Sequence, residues 1–201
     1  MIIIIDYQMG NVGSIKNMLK YIGKESIISS KIEDIEKADK LILPGVGAFD
    51  NGIRNLKELI PTLNKKVVEE KTPILGICLG MQLMTKCSEE GKLKGLNWIN
   101  AETKKFNLDT NKYRVPHMGW NLLTIKNKSS LFKNISNDSK FYFVHSYYVV
   151  CNDKNDIAST TNYGYEFTSS FQKDNIYGTQ FHPEKSHKFG MEILKNFVEN
   201  C

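Results

Sequence analysis

Three short runs in this chain carry residue types suited to nucleophilic chemistry. The first is Pro73-Ile74-Leu75-Gly76-Ile77-Cys78-Leu79-Gly80-Met81-Gln82. It reads as a buried strand, a Gly-x-Cys-x-Gly turn and a helix, the pattern of a nucleophile elbow with Cys in place of Ser. Gly76 and Gly80 suit a turn too sharp for side chains. The helix N-terminus that follows offers free backbone N–H groups and a positive dipole end, both of which favour a thiolate. A Cys between two glycines is also found in ordinary turns.

The second run is Tyr177-Gly178-Thr179-Gln180-Phe181-His182-Pro183-Glu184-Lys185-Ser186. Residues two apart on an extended segment face the same way, so Glu184 can orient the His182 imidazole. Pro183 keeps His182 out of the helical region. Cys78, His182 and Glu184 would then be nucleophile, general base and orienting carboxylate. The plainer alternative is a His that ends a strand at the surface. The third run is Pro44-Gly45-Val46-Gly47, directly after a strand at Lys40–Leu43. Its glycines let the backbone approach a ligand and turn its peptides. An oxyanion hole built from Gly45, Val46 and Leu79 would use the N–H groups of Val46 and Leu79. Alone, this run reads equally as an ordinary strand-to-helix turn.

The elements that must position these runs follow from apolar periodicity. Strands are predicted at Ile2–Ile5, Ser26–Ser29, Lys40–Leu43 and Ile74–Ile77. Helices alternate with them at Asn11–Ile22, Ile32–Lys37, Asn51–Leu63 (broken by Pro61) and Lys65–Glu70. From about Asn97 the pattern becomes a series of strands: Trp98–Thr103, Leu122–Ile125, Phe141–Val144, Tyr147–Cys151, Ile157–Thr161, Thr168–Gln172 and Ile176–Gln180. A helix at about Lys188–Val198 closes the chain. The fold class is therefore α/β, three-layered, with a central mainly parallel sheet and a mixed or antiparallel second half. With 201 residues, no repeat and no linker, residues 1–201 are expected to form a single domain.

Composition excludes several classes. The net charge is +5, but all of the 27 basic residues except Arg54 and Arg114 are Lys, scattered among acids. Nucleic-acid binding is not expected of such a surface. Four cysteines (Cys78, Cys87, Cys151 and Cys201) lack metal-like or disulfide-like spacing. Cys78 is the expected reactive thiol; the others read as buried small hydrophobes or tail residues. Met1–Asp6 has neither the basic flank nor the cleavage site of a signal peptide, and no apolar stretch approaches the ~20 residues of a membrane span. A cytoplasmic protein is expected.

Taken together, the three runs resemble the class I, or triad-type, glutamine amidotransferases. Their Gly-x-Cys-x-Gly-x-Gln, His-Pro-Glu and Pro-Gly-x-Gly motifs match in order across nearly the whole chain. Asp6-Tyr7, Met9-Gly10-Asn11, Pro116-His117-Met118-Gly119-Trp120-Asn121 and Phe143-Val144-His145-Ser146-Tyr147 are similar to the branch that feeds ammonia to a (β/α)8-barrel cyclase of histidine biosynthesis. Gln8 and Ser14 depart from the commonest letters of the first loop.

The resemblance implies L-glutamine as substrate, no metal or organic cofactor, and a heterodimer with the barrel cyclase subunit. It implies substrate binding by Gly47, Gln82, Glu90 and the backbone of His145, Ser146 and Tyr147. Glu90 would hold the substrate ammonium or, equally, be a solvated charge beside Glu89. It implies a docking face at Asn11, Met118, Trp120, Tyr142 and Lys185, although Met118 and Trp120 read equally well as core. His117 and His187 are expected at the interface or surface. The flanking glycines predict an easily turned Gly45–Val46 peptide, with its N–H pointing away from the oxyanion site at rest. Alternatives are a paralogous glutaminase serving surface-sugar amidination, a stand-alone γ-glutamyl hydrolase, and a non-enzymatic binding module of the same fold.

Overall fold

The run Ile2–Ile5 has no polar face to give to water, so it must lie inside a sheet covered on both sides. A computed structural model, which describes residues 1–201, places it there as strand β1. It pairs in parallel with β2 (Ser26–Ser29) on one side and β3 (Lys40–Leu43) on the other. Helix α1 (Val12–Tyr21) and the short α2 (Ile32–Glu36) make the crossovers. Strand β4 (Ile74–Ile77) joins β3 in parallel after α3 (Phe49–Leu56) and α4 (Ile60–Asn64).

The elbow strand β4 leads into helix α5 (Leu79–Leu83). The second half supplies β5 (Ala101–Lys105), β6 (His117–Leu122), β7 (Thr124–Ile125), β8 (Lys140–His145) and β9 (Tyr147–Cys151). Then follow β10 (Ile157–Tyr163), β11 (Tyr165–Lys173), β12 (Ile176–Thr179) and the closing helix α6 (His187–Asn200). The main sheet runs β2-β1-β3-β4-β12-β11-β10-β7, with β9 and β5 attached beyond β11. Strand β12 is parallel to β4 but antiparallel to β11, so the sheet changes character immediately beside the elbow strand. Strands β6 and β8 form a separate antiparallel ribbon.

Alternation along the central strands feeds two cores. Ile3, Ile5, Leu41 and Leu43 face one side with α3 to α5, while Ile2, Ile4, Ile42 and Phe197 of α6 face the other. This is the expected three-layer arrangement.

Four local readings need correction. The helical break falls before Pro61, over residues 57–59. Pro61 lies in the first turn of α4, where its missing N–H leaves no bond unmade. Lys65–Glu69 is a π-helical turn, not a continued α-helix. The strand expected at Trp98 starts at Ala101, because the Trp98 and Ile99 N–H groups are turned back onto the Met84 carbonyl. The strand expected at Leu122–Ile125 is two pieces, and the longer one, β6, lies upstream over His117–Leu122.

Candidate active site

Cys78 is the hinge between β4 and α5, with φ 54° and ψ −109°. A non-glycine residue in such a conformation costs on the order of 1–3 kcal/mol and persists only where its surroundings impose it. Here they do. A Cβ on Gly80 would run into the Leu43 carbonyl, and one on Gly76 would sit 2.8 Å from the Met81 nitrogen. The Cys78 N–H is fixed by the Thr179 carbonyl at 2.7 Å. The thiol is thereby held beside the end of β12, from which the second run emerges.

His182 lies just past β12, its N–H bonded to the Tyr142 carbonyl at 2.9 Å. The Ser186 hydroxyl donates to the His182 carbonyl at 2.6 Å and accepts from the Tyr142 N–H at 3.0 Å, tying the loop to β8. His182 Nδ1 is 2.8 Å from Glu184 Oε1, and both side chains are almost fully buried. The carboxylate can only accept, so Nδ1 carries a proton and Nε2 is the nitrogen left to exchange one with the Cys78 thiol. That atom is buried with no hydrogen-bond partner of ordinary geometry. Burial works to lower the imidazole pKa, but the Cys78 sulfur first and Glu184 second outweigh it and push it up to about 10. The arrangement favours a proton on His182, at the ring nitrogen left free by Glu184.

Backbone around Pro44-Gly45-Val46-Gly47 is held at two points. The Tyr7 hydroxyl, buried beneath it, donates to the Pro44 carbonyl at 2.6 Å. The Leu79 N–H donates to the Gly45 carbonyl at 3.3 Å. A trans peptide sets its C=O and N–H in opposite directions. The Val46 N–H therefore points away from Leu79, and the Leu79 N–H is occupied. No pair of oxyanion donors exists in this state.

A cavity of about 510 Å³ opens over the sulfur, lined by Gly47, Gln82, Glu90, His145, Ser146, Tyr147 and His182 among others. The expected substrate residues thus share one wall system with Cys78. Glu90 is exposed at the rim, where one carboxylate oxygen accepts from the Phe49 N–H at 2.9 Å. Gln82 is buried, and its Nε2 donates both to the Tyr147 carbonyl (3.1 Å) and to Gln180 Oε1 (3.0 Å). Its own carbonyl oxygen is what remains for a ligand.

The sequence model of the class-I glutamine amidotransferase family matches residues 3–201. The chain belongs to that family. It is 63% identical to imidazole glycerol phosphate synthase subunit HisH 2 of Methanococcus maripaludis, covering all of both chains. It is 48% identical to the HisH 2 subunit of Pseudomonas aeruginosa, over 99% of each. Among solved structures it is similar in fold to PurLQS from Thermotoga maritima. That match has a TM-score of 0.70 at 17% identity, covering 98% of this chain and 96% of the other.

On this amidotransferase Met118 and Trp120 are exposed, at 62% and 46%, so they are not core. Trp120 stacks on the exposed His187 and meets Tyr142 edge-on, and Lys185 Nζ lies 5.7 Å from the Tyr142 ring centre. Met118, Trp120, Tyr142 and Lys185 therefore share the β6–β8 ribbon and the loop that carries His182. Asn11 is exposed at the start of α1, where it caps the helix by accepting from the Ser14 N–H.

His117 departs from expectation. It is buried, its Nδ1 3.0 Å from His145 Nε2, and its ring stacks on Phe143 and Tyr163. The amidotransferase also has a residue the motif reading passed over. Gln180 is fully buried and its Nε2 lies 3.6 Å from the Cys78 sulfur. Strand alternation does not account for the grouping. Strand β12 ends at Thr179 and Glu184 lies in the 3-10 turn Pro183–Lys185, so the segment expected to be extended through Glu184 is not.

Proposed function

We propose that this chain is the glutaminase subunit of an imidazole glycerol phosphate synthase, with residues 1–201 acting as one amidotransferase domain in the cytoplasm. The observation that carries the reading is a Cys–His–Glu set facing a cavity of about 510 Å³, ample for glutamine, beside an exposed aromatic ribbon. The full-length identity to the Methanococcus maripaludis protein supports it. No helix is long and apolar enough to cross a membrane.

The Cys78 sulfur attacks the side-chain amide carbon of glutamine while its proton rests on His182 Nε2. Rotation of the Gly45–Val46 peptide releases the Leu79 N–H and brings in the Val46 N–H, and both then hold the oxyanion. The C–N bond breaks, His182 protonates the departing nitrogen, and ammonia leaves behind a γ-glutamyl thioester. His182 then takes a proton from water, the hydroxide attacks the thioester, and glutamate and the free thiol result. Gln82 and Glu90 offer acceptors to the substrate's N–H and ammonium groups.

Ammonia must be kept from bulk water, where it is protonated. A (β/α)8-barrel cyclase docked on Met118, Trp120, Tyr142 and Lys185 would cap the cavity and receive it. The barrel then uses ammonia to split N-(phosphoribulosyl)formimino-aminoimidazole carboxamide ribonucleotide. A second reading, a paralogous glutaminase for surface-sugar amidination, has one observation in its favour. The relatives carry numbered names, HisH 2 or HisH 1. Complementation separates the two readings. The chain, co-expressed with the barrel cyclase, should restore growth without histidine to a strain lacking its own glutaminase subunit. Normal glutaminase activity with no complementation would move the assignment to the second reading.

A further inference from the structure

The polar contacts around Cys78 form a chain whose direction is fixed from its far end. The Tyr147 backbone carbonyl can only accept, and it takes bonds from His145 Nδ1 at 2.7 Å and from Gln82 Nε2 at 3.1 Å. The amide nitrogen of Gln82 must therefore face it. The second proton of that nitrogen then reaches Gln180 at 3.0 Å, so Gln180 must present its oxygen there. The carboxamide of Gln180 has one orientation left, with its nitrogen toward the Cys78 sulfur at 3.6 Å. Turning Gln180 over would set two amide NH2 groups against each other. Turning Gln82 over would set its oxygen against a carbonyl.

Gln180 is fully buried and Gln82 nearly so, which strengthens a donor aimed at a charge. Besides Gln180 and the facing His182, the sulfur has a further polar neighbour in the Val144 carbonyl, at 4.0 Å. A carbonyl accepts from a thiol, whereas an amide N–H favours a thiolate. The two contacts therefore favour opposite protonation states, and the N–H is the closer.

We propose that Gln180 is a dedicated hydrogen-bond donor that stabilises the Cys78 thiolate, and that Gln82 is the positioning residue that aims it. The proposal rests on the reading of Cys78 as nucleophile. It gives Gln82 a task beyond substrate contact, because Gln82 also sets the polarity of the donor on the sulfur. It also explains a buried Gln two residues before the base in a strand-end loop whose neighbours Thr179 and Phe181 are wholly buried.

The test reads the thiol directly. The rate of Cys78 alkylation by iodoacetamide is measured from pH 5 to 10 on the full chain. Peptide mass mapping isolates Cys78 from the exposed Cys87. Losing one charge-assisted donor should move the alkylation midpoint up by about one pH unit in Gln180→Met, with about tenfold slower alkylation below it. Gln82→Met, which frees Gln180 to rotate, should move it the same way. A folded Gln180→Met with an unmoved midpoint would overturn the proposal. A second measurement needs no variant. In the unsubstituted chain the Gln180 side-chain 15N–1H resonances should titrate with the midpoint found by alkylation. Resonances that stay fixed through that midpoint would equally overturn it. Neither readout requires glutamine turnover, so failure of the glutaminase reading would be seen separately.

Discussion

Replacing Val46 by proline isolates the proposed oxyanion switch. In the resting chain the Val46 N–H faces away from the site, and the Leu79 N–H is spent on the Gly45 carbonyl. Turning one peptide would therefore change the count of available donors from none to two. Losing one such donor costs about 10²–10³ in kcat, or about 2.7–4 kcal/mol of transition-state stabilisation. Proline at 46 deletes that donor and fixes φ, one of the two dihedrals a peptide flip must change. Gly45 tolerates the extended conformation required before proline, and residue 46 is largely exposed, so the resting fold should survive. The assay is glutamate release by the isolated chain and by its complex with the proposed barrel partner, liganded. The isolated Val46→Pro chain should be as slow as the unsubstituted one. Its complex should lose at least about 100-fold of the stimulated rate while still using added ammonium salts. A stimulated rate within about threefold of the unsubstituted complex would refute the claim that this peptide limits the resting enzyme.

His182→Ala should reduce glutamine turnover by about 10²–10⁴, and Glu184→Ala by less, because the imidazole reaches the thiol without its carboxylate; the reverse order in folded variants, measured by kcat, would undo the role assignment. Trp120→Ala should weaken partner binding by about 30-fold or more in titration calorimetry with its melting temperature unchanged, as expected of an exposed aromatic anchor. Acid should destabilise the fold through two histidines that burial holds neutral, His117 at about 4 and His145 at about 3. The unfolded chain binds protons there that the folded chain does not, so stability is full above pH 6.5 and falls below it, by on the order of 3 kcal/mol per histidine at pH 4. His182 adds no slope in that window, since its raised value contributes stability fully below pH 6.5 and loses it toward pH 10. Urea unfolding at pH 6.5 and pH 5, where His182 contributes almost no slope, with equal free energies would rule out the neutral pair.

The central strands were legible because their chemistry admits one solution. Ile2–Ile5, Leu41–Leu43 and Ile74–Ile77 are continuous apolar runs, and parallel sheets bury both faces. The π-turn at Lys65–Glu69 was not, because one extra residue per turn leaves the apolar spacing of a short segment almost unchanged. Strand β6 was missed for a different reason. Its alternation is inverted: Met118, Trp120 and Leu122 face water, while His117 is buried and Asn121 half-buried. A rule that looks for an apolar inner face finds a polar one. A strand whose outward side is the apolar side has the composition of an interface core, which is the feature on which the proposed docking rests.

At the site, composition and spacing reach the atoms that side chains supply and stop at those the backbone supplies. Cys78, His182 and Glu184, which the structure brings together, could be proposed because each role requires a residue type. The outward facing of the Gly45–Val46 peptide was expected from its flanking glycines, but the capture of the Leu79 N–H by the Gly45 carbonyl was not, because it depends on a backbone contact that no residue type encodes. The same limit explains Gln180. A glutamine is an acceptor or a donor toward a sulfur according to how its amide is turned. That is decided by the Tyr147 carbonyl acting through Gln82, which stands 98 positions from Gln180 in the chain. Polarity of this kind is a property of a closed chain of contacts, and no single position in it carries the information. Gln82, Gln180 and the Gly45–Val46 peptide are therefore where substitution should alter the chemistry of Cys78 without removing any member of the triad.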